Sequence, residues 1–469
     1  MNRHSIHTVL RLSTLLIALN LLLTGCGGLL PRSQYNRPEV ALPEKWHGEH
    51  VTGTTIANEE RWWQEFNDPT LNGLIERALK TNNDLAAATI RVHRAQLSGK
   101  LTDTNLTPSV SVGANSSVSR DLNTRVNTKS SGASGTVSYE LDLWGKLASA
   151  RDVSHWEAEA TESDKKSTAL ALIGTVATNY WKTAYLNERI ATVYASISNA
   201  EKILELVEVK YEAGSVSALD KVQAQQTVAS QRAQLTQLQQ QLTEARNALA
   251  ILFDQAPENT MPELKRLPDG PLPVVSVGIP ASLLAQRPDL QAAEQRLKKY
   301  LANIDTTRAS FYPSFTLTGS LGTNSTSLTD VLRNPYAALG AGLALPFIQW
   351  NTMELNVAIS KTEYAEEVVN FRQTLYSALA DVENALSART TSAEEGKQLE
   401  ESLALAMKAE QLVEVRYRAG STALQSWLDA QESRRDAERA LAVVHLSQLK
   451  NCMTLYQALG GAMQVSSSK

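Results

Sequence analysis

Cysteine, aromatic residues and long apolar runs are all scarce in this 469-residue chain, and each shortage closes off a class of protein. There are two cysteines, Cys26 and Cys452. A disulfide scaffold is therefore excluded, and once Cys26 is accounted for below no intramolecular pair remains. Aromatics make up 6% of the residues, too few for an ordinary set of globular cores. After the first 25 residues no apolar run reaches 18, so the mature chain has no transmembrane helix. A chain of this kind that crosses a membrane must do so as a closed β-barrel. The formal charge is −4, and no clustered basic stripe is present, which excludes nucleic acid as a partner. The seven histidines show no metal-ligand spacing, and there is no nucleophile elbow, phosphate loop or pair of acids in a plausible cleft. Neither an enzyme nor a metal site is expected, and no cofactor beyond a covalent lipid.

Proline and glycine are missing from two particular places. Lys146 to about Tyr211 contains no proline and only Gly174, and Thr352 to about Tyr417 contains no proline and only Gly396. At ~1.5 Å per residue, each segment makes a helix roughly 100 Å long. Their apolar residues fall at heptad-like spacing: Ala169, Leu172, Ile173, Val176 and Tyr180 in one, and Phe371, Leu375, Ala378, Leu379, Val382 and Leu386 in the other. Helices this long must be sheathed by other helices. Each ends at Ala-Gly-Ser, with Gly214 and Gly420 suited to a left-handed C-cap, and returns through Leu219 to Phe253 or Leu424 to Leu459.

What the chain does contain is an internal repeat at about 205 residues. Asn83-Asp84-Leu85-Ala86 returns as Pro288-Asp289-Leu290-Gln291, Leu106-Thr107-Pro108-Ser109 as Phe311-Tyr312-Pro313-Ser314, and Val209-Lys210-Tyr211 through Gly214 as Val415-Arg416-Tyr417 through Gly420. Each half reads helix, strand, loop, strand, very long helix, tight turn, shorter helix. The strands, over Ser109–Val118, Thr136–Leu143, Pro313–Gly322 and Leu339–Leu345, alternate apolar and Ser/Thr residues with a period of two. Alternation alone also describes a soluble half-buried strand, but a length near the roughly 9–11 residues of a membrane-barrel strand favours the barrel. The joining segments Ser119–Ala133 and Thr323–Tyr336 read as exposed loops. Four strands cannot close a barrel, for which about 8 is the minimum, so several chains must contribute.

The N-terminus reads as a targeting segment. Arg3, His4, His7 and Arg11 precede an apolar run from Leu15 to Leu23, which ends in Leu23-Thr24-Gly25-Cys26. This resembles a bacterial lipobox, which implies that Cys26 becomes the first mature residue and carries lipid, each buried CH₂ contributing ~0.8 kcal/mol. A plain secretory signal is the alternative. Gly27 and Gly28 after the cysteine favour outer-membrane over inner-membrane sorting by analogy with other lipoproteins. Cys452, in a helical pattern, reads as a buried small apolar residue. The expected organisation is a signal peptide over 1–25, a lipid-anchored extended segment over 26–60, leading helices over 61–105, a β-hairpin over 106–143 and a long helical hairpin over 144–257. A linker over 258–285 follows, then a second leading helix over 286–310, hairpin over 311–347 and helical hairpin over 348–460, with a tail over 461–469.

Three stretches carry a family likeness: Arg61-Trp62-Trp63-Gln64-Glu65-Phe66-Asn67-Asp68-Pro69, Tyr139-Glu140-Leu141-Asp142-Leu143-Trp144-Gly145, and Arg287-Pro288-Asp289-Leu290 through Arg308-Ala309-Ser310-Phe311-Tyr312-Pro313. Together they resemble the TolC-like outer-membrane factors, in particular the lipoprotein branch with NodT-type signatures. The resemblance implies a fold that is mainly α with membrane β: a homotrimer sharing a 12-stranded outer-membrane barrel, four strands per chain, with a long periplasmic helical barrel. It implies an exit duct for small toxic molecules, handed over by an inner-membrane pump through a periplasmic adaptor protein, in contact with outer-membrane lipid. It also implies that the helical turns Gly214-Ser215 and Gly420-Ser421 form the adaptor-contacting tip. Asp220 and Asp429 match family positions whose carboxylates line the closing aperture, and Tyr417, with its repeat counterpart Tyr211, matches a gate position. The alternatives are solvated helix-end acids and tyrosines that simply pack between helices. This chain has Ser426 where some members carry another acid and Thr422 where some carry arginine. At the second strand-to-helix junction, Leu345 to Asn351, the usual glycine is absent, and Asn351 is expected to take the left-handed position. Trp144 and Trp350, near the two junctions, suit either an interfacial girdle or packing. A lipid-tethered periplasmic coiled coil, or the outer-membrane channel of a metal-efflux or protein-secretion system, are the competing functions.

Overall fold

The computed structural model describes residues 32–47, 59–257, 262–275, 280 and 286–461. The signal peptide, Cys26, about half of the lipid-anchored segment and nearly all of the C-terminal tail lie outside the described residues. The element order is α1 (Pro69–Thr81), α2 (Asn83–Asp103), β1 (Ser109–Arg120), β2 (Asn127–Leu141), α3 (Lys146–Glu212), α4 (Ala218–Ile251), α5 (Pro288–Ala309), β3 (Ser314–Ser325), β4 (Pro335–Ala344), α6 (Trp350–Arg418) and α7 (Leu424–Ala458). Helices α3 and α6 are unbroken over 67 and 69 residues.

The chain divides into two compact units. One comprises Arg91–Glu162 and Ala292–Arg372 with the described N-terminal residues up to Glu39. It holds one antiparallel sheet in the order β1-β2-β3-β4. The strands are longer than the alternating stretches suggested, at 12, 15, 12 and 10 residues. The segments expected as loops shrink accordingly: Val118 pairs with Lys129 and Arg120 with Asn127, while Thr323 pairs with Pro335. Ser, Thr, Asn and Gly have weak strand propensity, so they read as loop. Ladder hydrogen bonds to a fixed partner override that local preference. The described N-terminal residues lie along this unit as a strap. Ser33 donates through its backbone N and its Oγ to Asp305 at 2.8 and 2.7 Å, and Arg37 forms a bidentate pair with Glu294. Arg32 pairs with Asp152 at 2.9 Å.

The strand-to-helix turns of the two halves differ. In the first, Gly145 is left-handed (φ 73°) and Asp142 accepts from Leu147 N and Ala148 N at 2.9 and 2.8 Å, capping α3. In the second, the expectation for Asn351 is wrong. Asn351 lies inside the first turn of α6, and the chain reverses instead through a short 3₁₀ turn at Pro346–Ile348. Proline at its first position pre-sets the backbone, so no left-handed residue is needed there. Trp144 donates to Pro313 O at 2.6 Å and packs on Tyr312, so it is a packing residue, while Trp350 stays exposed.

The other unit, formed by the described parts of Val40–Ile90, Ser163–Gln291 and Gln373–Lys469, holds the main core. Trp62 stacks on Tyr456 at 4.8 Å, and Phe66 lies 5.0 Å from Trp181. Asp68 caps α1 through Thr70 N and Leu71 N, with Pro69 at the first helical position, and also accepts from Tyr180 Oη. Every heptad position named from the sequence except Ala169, which is half-buried, is buried. The lone glycines of α3 and α6 share one device. Glutamines of α7 sit where a Cβ would be: Gln457 against Gly174 and Gln448 against Gly396. Each donates to the carbonyl four residues before its glycine, Leu170 O at 3.1 Å and Ser392 O at 2.8 Å. Cys452 is fully buried, and burial pushes its thiol up to about 11.

Candidate functional site: a two-faced sheet and a double helical tip

The sheet register sorts residues onto faces, because directly paired residues share a face. One face carries the rows Val110–Val137–Gly319–Leu339, Val112–Gly135–Leu321–Ala337, Tyr139–Leu317–Ala341 and Leu141–Phe315–Leu343. The other carries Ser109–Ser138–Thr318–Gly340, Ser111–Thr136–Ser320–Ala338 and Glu140–Thr316–Gly342. Among the described residues much of the apolar face is uncovered. Leu339 is 95% exposed and Val112 85%. A soluble sheet would bury these side chains, whereas a bilayer covers them. Among the described residues β1 and β4 end the sheet, leaving backbone edges that a membrane tolerates only when another chain pairs with them.

The tip is built by two turns of the same construction. In the first, Gly214 (φ 71°) donates to Tyr211 O at 2.9 Å and Ser215 N to Lys210 O at 2.9 Å; in the second, Gly420 (φ 74°) donates to Tyr417 O at 3.0 Å and Ser421 N to Arg416 O at 2.9 Å. These are Schellman caps, and the serine Oγ of each turn adds a bond to the same carbonyl, at 2.8 Å from Ser215 and 3.0 Å from Ser421. A Cβ would meet nothing at either glycine, so the left-handed backbone is the whole reason for glycine there.

The four gate candidates part company at this point. Asp220 is half-buried and completes a capping box: Ser217 N and Oγ donate to its carboxylate at 2.8 and 2.6 Å, and Asp220 N donates back to Ser217 Oγ at 3.3 Å. Asp429 is exposed and accepts from Gln425 Nε2 at 2.5 Å. Tyr417 is buried at 4% exposure, while its counterpart Tyr211 is 43% exposed. Burial, then the negative charge of Asp220, raise the Tyr417 pKa above its ordinary value. One participant was not anticipated. Trp427 is buried and lies 5.2 Å, ring to ring, from Tyr417. A lone tryptophan seven residues past the turn was visible, but the repeat offered only Lys221 at that position and gave no reason to single it out.

The family-bearing stretches make structural contacts. Arg287 is clamped by Asp289 at 2.7 Å and Asp381 at 3.1 Å and donates to Ala458 O. Among the described residues no helix is long and apolar enough to cross a membrane, and no cluster of His, Cys, Asp and Glu could hold a metal.

With this geometry in hand, comparison with known proteins is decisive. The family model described as "Outer membrane efflux protein" matches residues 74–253 and 279–461. The chain belongs to that family. It is 32% identical to the pyoverdine export outer membrane protein OpmQ of Pseudomonas putida, over 96% of this chain and 98% of that one. It is 31% identical to the toxin and drug export protein A of Aggregatibacter actinomycetemcomitans, over 96% and 98%. It is 26% identical to the probable outer membrane lipoprotein SilC of Salmonella typhimurium, over 96% and 99%. Among solved structures, the outer-membrane channel OprN superposes with a TM-score of 0.83 at 25% identity, covering 92% of this chain and 99% of that chain. The fold class is thus four strands per chain of a trimeric outer-membrane β-barrel, together with long α-helical hairpins and an internal repeat. The protein is an outer-membrane efflux protein.

Proposed function

We propose that three copies of this chain close one barrel and form the exit duct of a tripartite pump, which passes drugs or other small toxic molecules outward. The observation that carries this reading is the two-faced, open-edged sheet: among the described residues an apolar face left largely bare and two unpaired edges call for both a bilayer and neighbouring copies. Apolar side chains left exposed along α6, such as Leu355, Ile359 and Leu412, provide further surface for those copies. An inner-membrane pump supplies the cargo and a periplasmic adaptor meets the Gly214-Ser215 and Gly420-Ser421 turns. Export of pyoverdine, and of toxins and drugs, by the relatives supports cargo of this kind. The duct does its work without catalysis.

Cys26 carries the lipid, a reading supported by the lipobox-like sequence and by similarity to a lipoprotein. Asp220 and Asp429 each become a ring of three acids at the aperture. Three like charges held close together repel one another and favour passing cations. Single-channel recording of the purified mature protein in planar bilayers, with its oligomeric mass from the same sample, tests this. Small cation-favouring currents from a trimer are expected. A monomer or dimer that inserts no channel would point to a lipid-tethered coiled coil instead.

A further inference from the structure

The acid rings leave unused a place beside the turns where the second hairpin packs into the first. Tyr417, near the end of α6, and Trp427, in the first turn of α7, face each other across the Gly420 turn with ring centres 5.2 Å apart. They share a buried cluster with Ile203 and Val207 of α3, Ala224 of α4 and their own hairpin's Leu424 and Leu428, and beside these lie the half-buried Leu204 and Val216 of the other hairpin. Lys210 places its Nζ 4.5 Å from the centre of the Tyr417 ring. Among the described residues Tyr417 Oη and Trp427 Nε1 have no hydrogen-bond partner, so ring packing rather than a polar link holds the pair.

The arrangement is not reciprocal. The repeat counterparts Tyr211 and Lys221 are neither buried in the second hairpin nor in ring-to-ring contact, and Lys221 Nζ lies 5.7 Å from the exposed Tyr211 ring. The first hairpin therefore offers a socket, and the second inserts two rings into it. Where charged latch residues stand in some family members, this chain has Ser426 and Thr422.

We propose that Trp427, with Tyr417, is an aromatic clasp that holds the second hairpin against the first in the closed tip, so that the latch of this duct is apolar packing and not charge. This rests on the reading of the tip as the gate. Its physical signature is salt dependence. A latch of exposed charges weakens as salt screens it, whereas burial of two rings does not. To open, the tip must pull Trp427 out of contact with Val207 and Ala224.

The test is single-channel recording of the full-length trimer at low and at high salt. Trp427→Ala raises the open-to-closed ratio roughly tenfold or more, as expected for loss of a large buried side chain that packs only in the closed state. Trp427→Phe restores most of the closure, and wild type stays closed at high salt. Val207→Ala, on the socket side, shifts the ratio in the same direction, and it carries the test if Trp427→Ala fails to assemble. The clasp is overturned if these variants gate like wild type while Asp220→Gln with Asp429→Asn opens the duct, or if salt alone opens wild type. A wild-type trimer that conducts nothing in any condition would sink the gate reading itself, a result distinct from both.

Discussion

Asp220 has two jobs in this account, and a pair of substitutions separates them. As the third helical residue of α4 it accepts two hydrogen bonds from Ser217, and in the proposed gate its carboxylate also contributes charge at the aperture. Asp220→Ala removes both. Ser217 remains as the N-cap, and losing the reciprocal hydrogen bonding from Asp220 costs about 1 kcal/mol, the net worth of a typical intramolecular hydrogen bond (about 0.5–1.5), for each helix N-terminus. Since the same cap recurs in every copy, the trimer as a whole loses about 3 kcal/mol if its chains melt together. Asp220→Gln is different, because glutamine at this position keeps the capping box while discarding the charge. Thermal melting of the trimer should therefore fall for Ala and stay near wild type for Gln, while reversal potentials should show weakened cation preference in both. The glutamine variant should also lower the Tyr417 pKa part of the way back, since the Asp220 charge is the second cause of its rise, after burial. Equal melting loss for Gln and Ala would refute the capping argument. An unchanged cation preference for Gln would remove Asp220 from the conducting path.

Three further perturbations probe other levels of the structure. Leu339→Arg, on the apolar face, should cost about 2–4 kcal/mol for a site near the bilayer midplane and impair trimer yield, whereas Ala338→Arg on the polar face should assemble and reduce conductance; equal yields would mean the faces are misassigned. Trp62→Ala empties the site stacked against Tyr456 and should cost about 3–5 kcal/mol in unfolding measurements, with conductance of the surviving trimers unchanged. For Tyr417 the sign follows from its raised pKa: the buried neutral phenol favours the folded tip fully below the ordinary value of 10.0, and that stabilisation declines as pH rises above it. Tyr417→Phe should therefore be less sensitive than wild type to a change from neutral to strongly alkaline pH, read as the open-to-closed ratio; identical alkaline profiles would show that this phenol does not ionise at the tip.

Much of this architecture could be read from residue order because it rests on local periodicity. The long helices follow from uninterrupted stretches of helix-forming residues, and their buried stripe from heptad spacing that recurs at Leu172, Val176, Leu375 and Val382. The glycines of the two tips follow from a cap geometry that is wholly local, within five residues of each turn. The repeat, likewise, is a property of the string itself. Strand ends were less legible. Asn127–Ser134 and Asn324–Ser325 carry turn-like residues, and they become strand only because partner strands complete their ladders, β1 just before Asn127 and, from Ser131 on, β3 in the other half of the chain.

What tertiary structure alone decided is how the two halves diverge. The chain order makes Tyr211 and Tyr417 equivalent, yet one is exposed and the other is buried in the facing hairpin. Lys221 and Trp427 occupy equivalent positions with opposite chemistry, and only packing shows that the tryptophan has a socket to fill. Backbone patterns repeat with period and spacing, so a sequence displays them. Burial depends on which surfaces meet across hundreds of residues, and that is settled only when the helices come together.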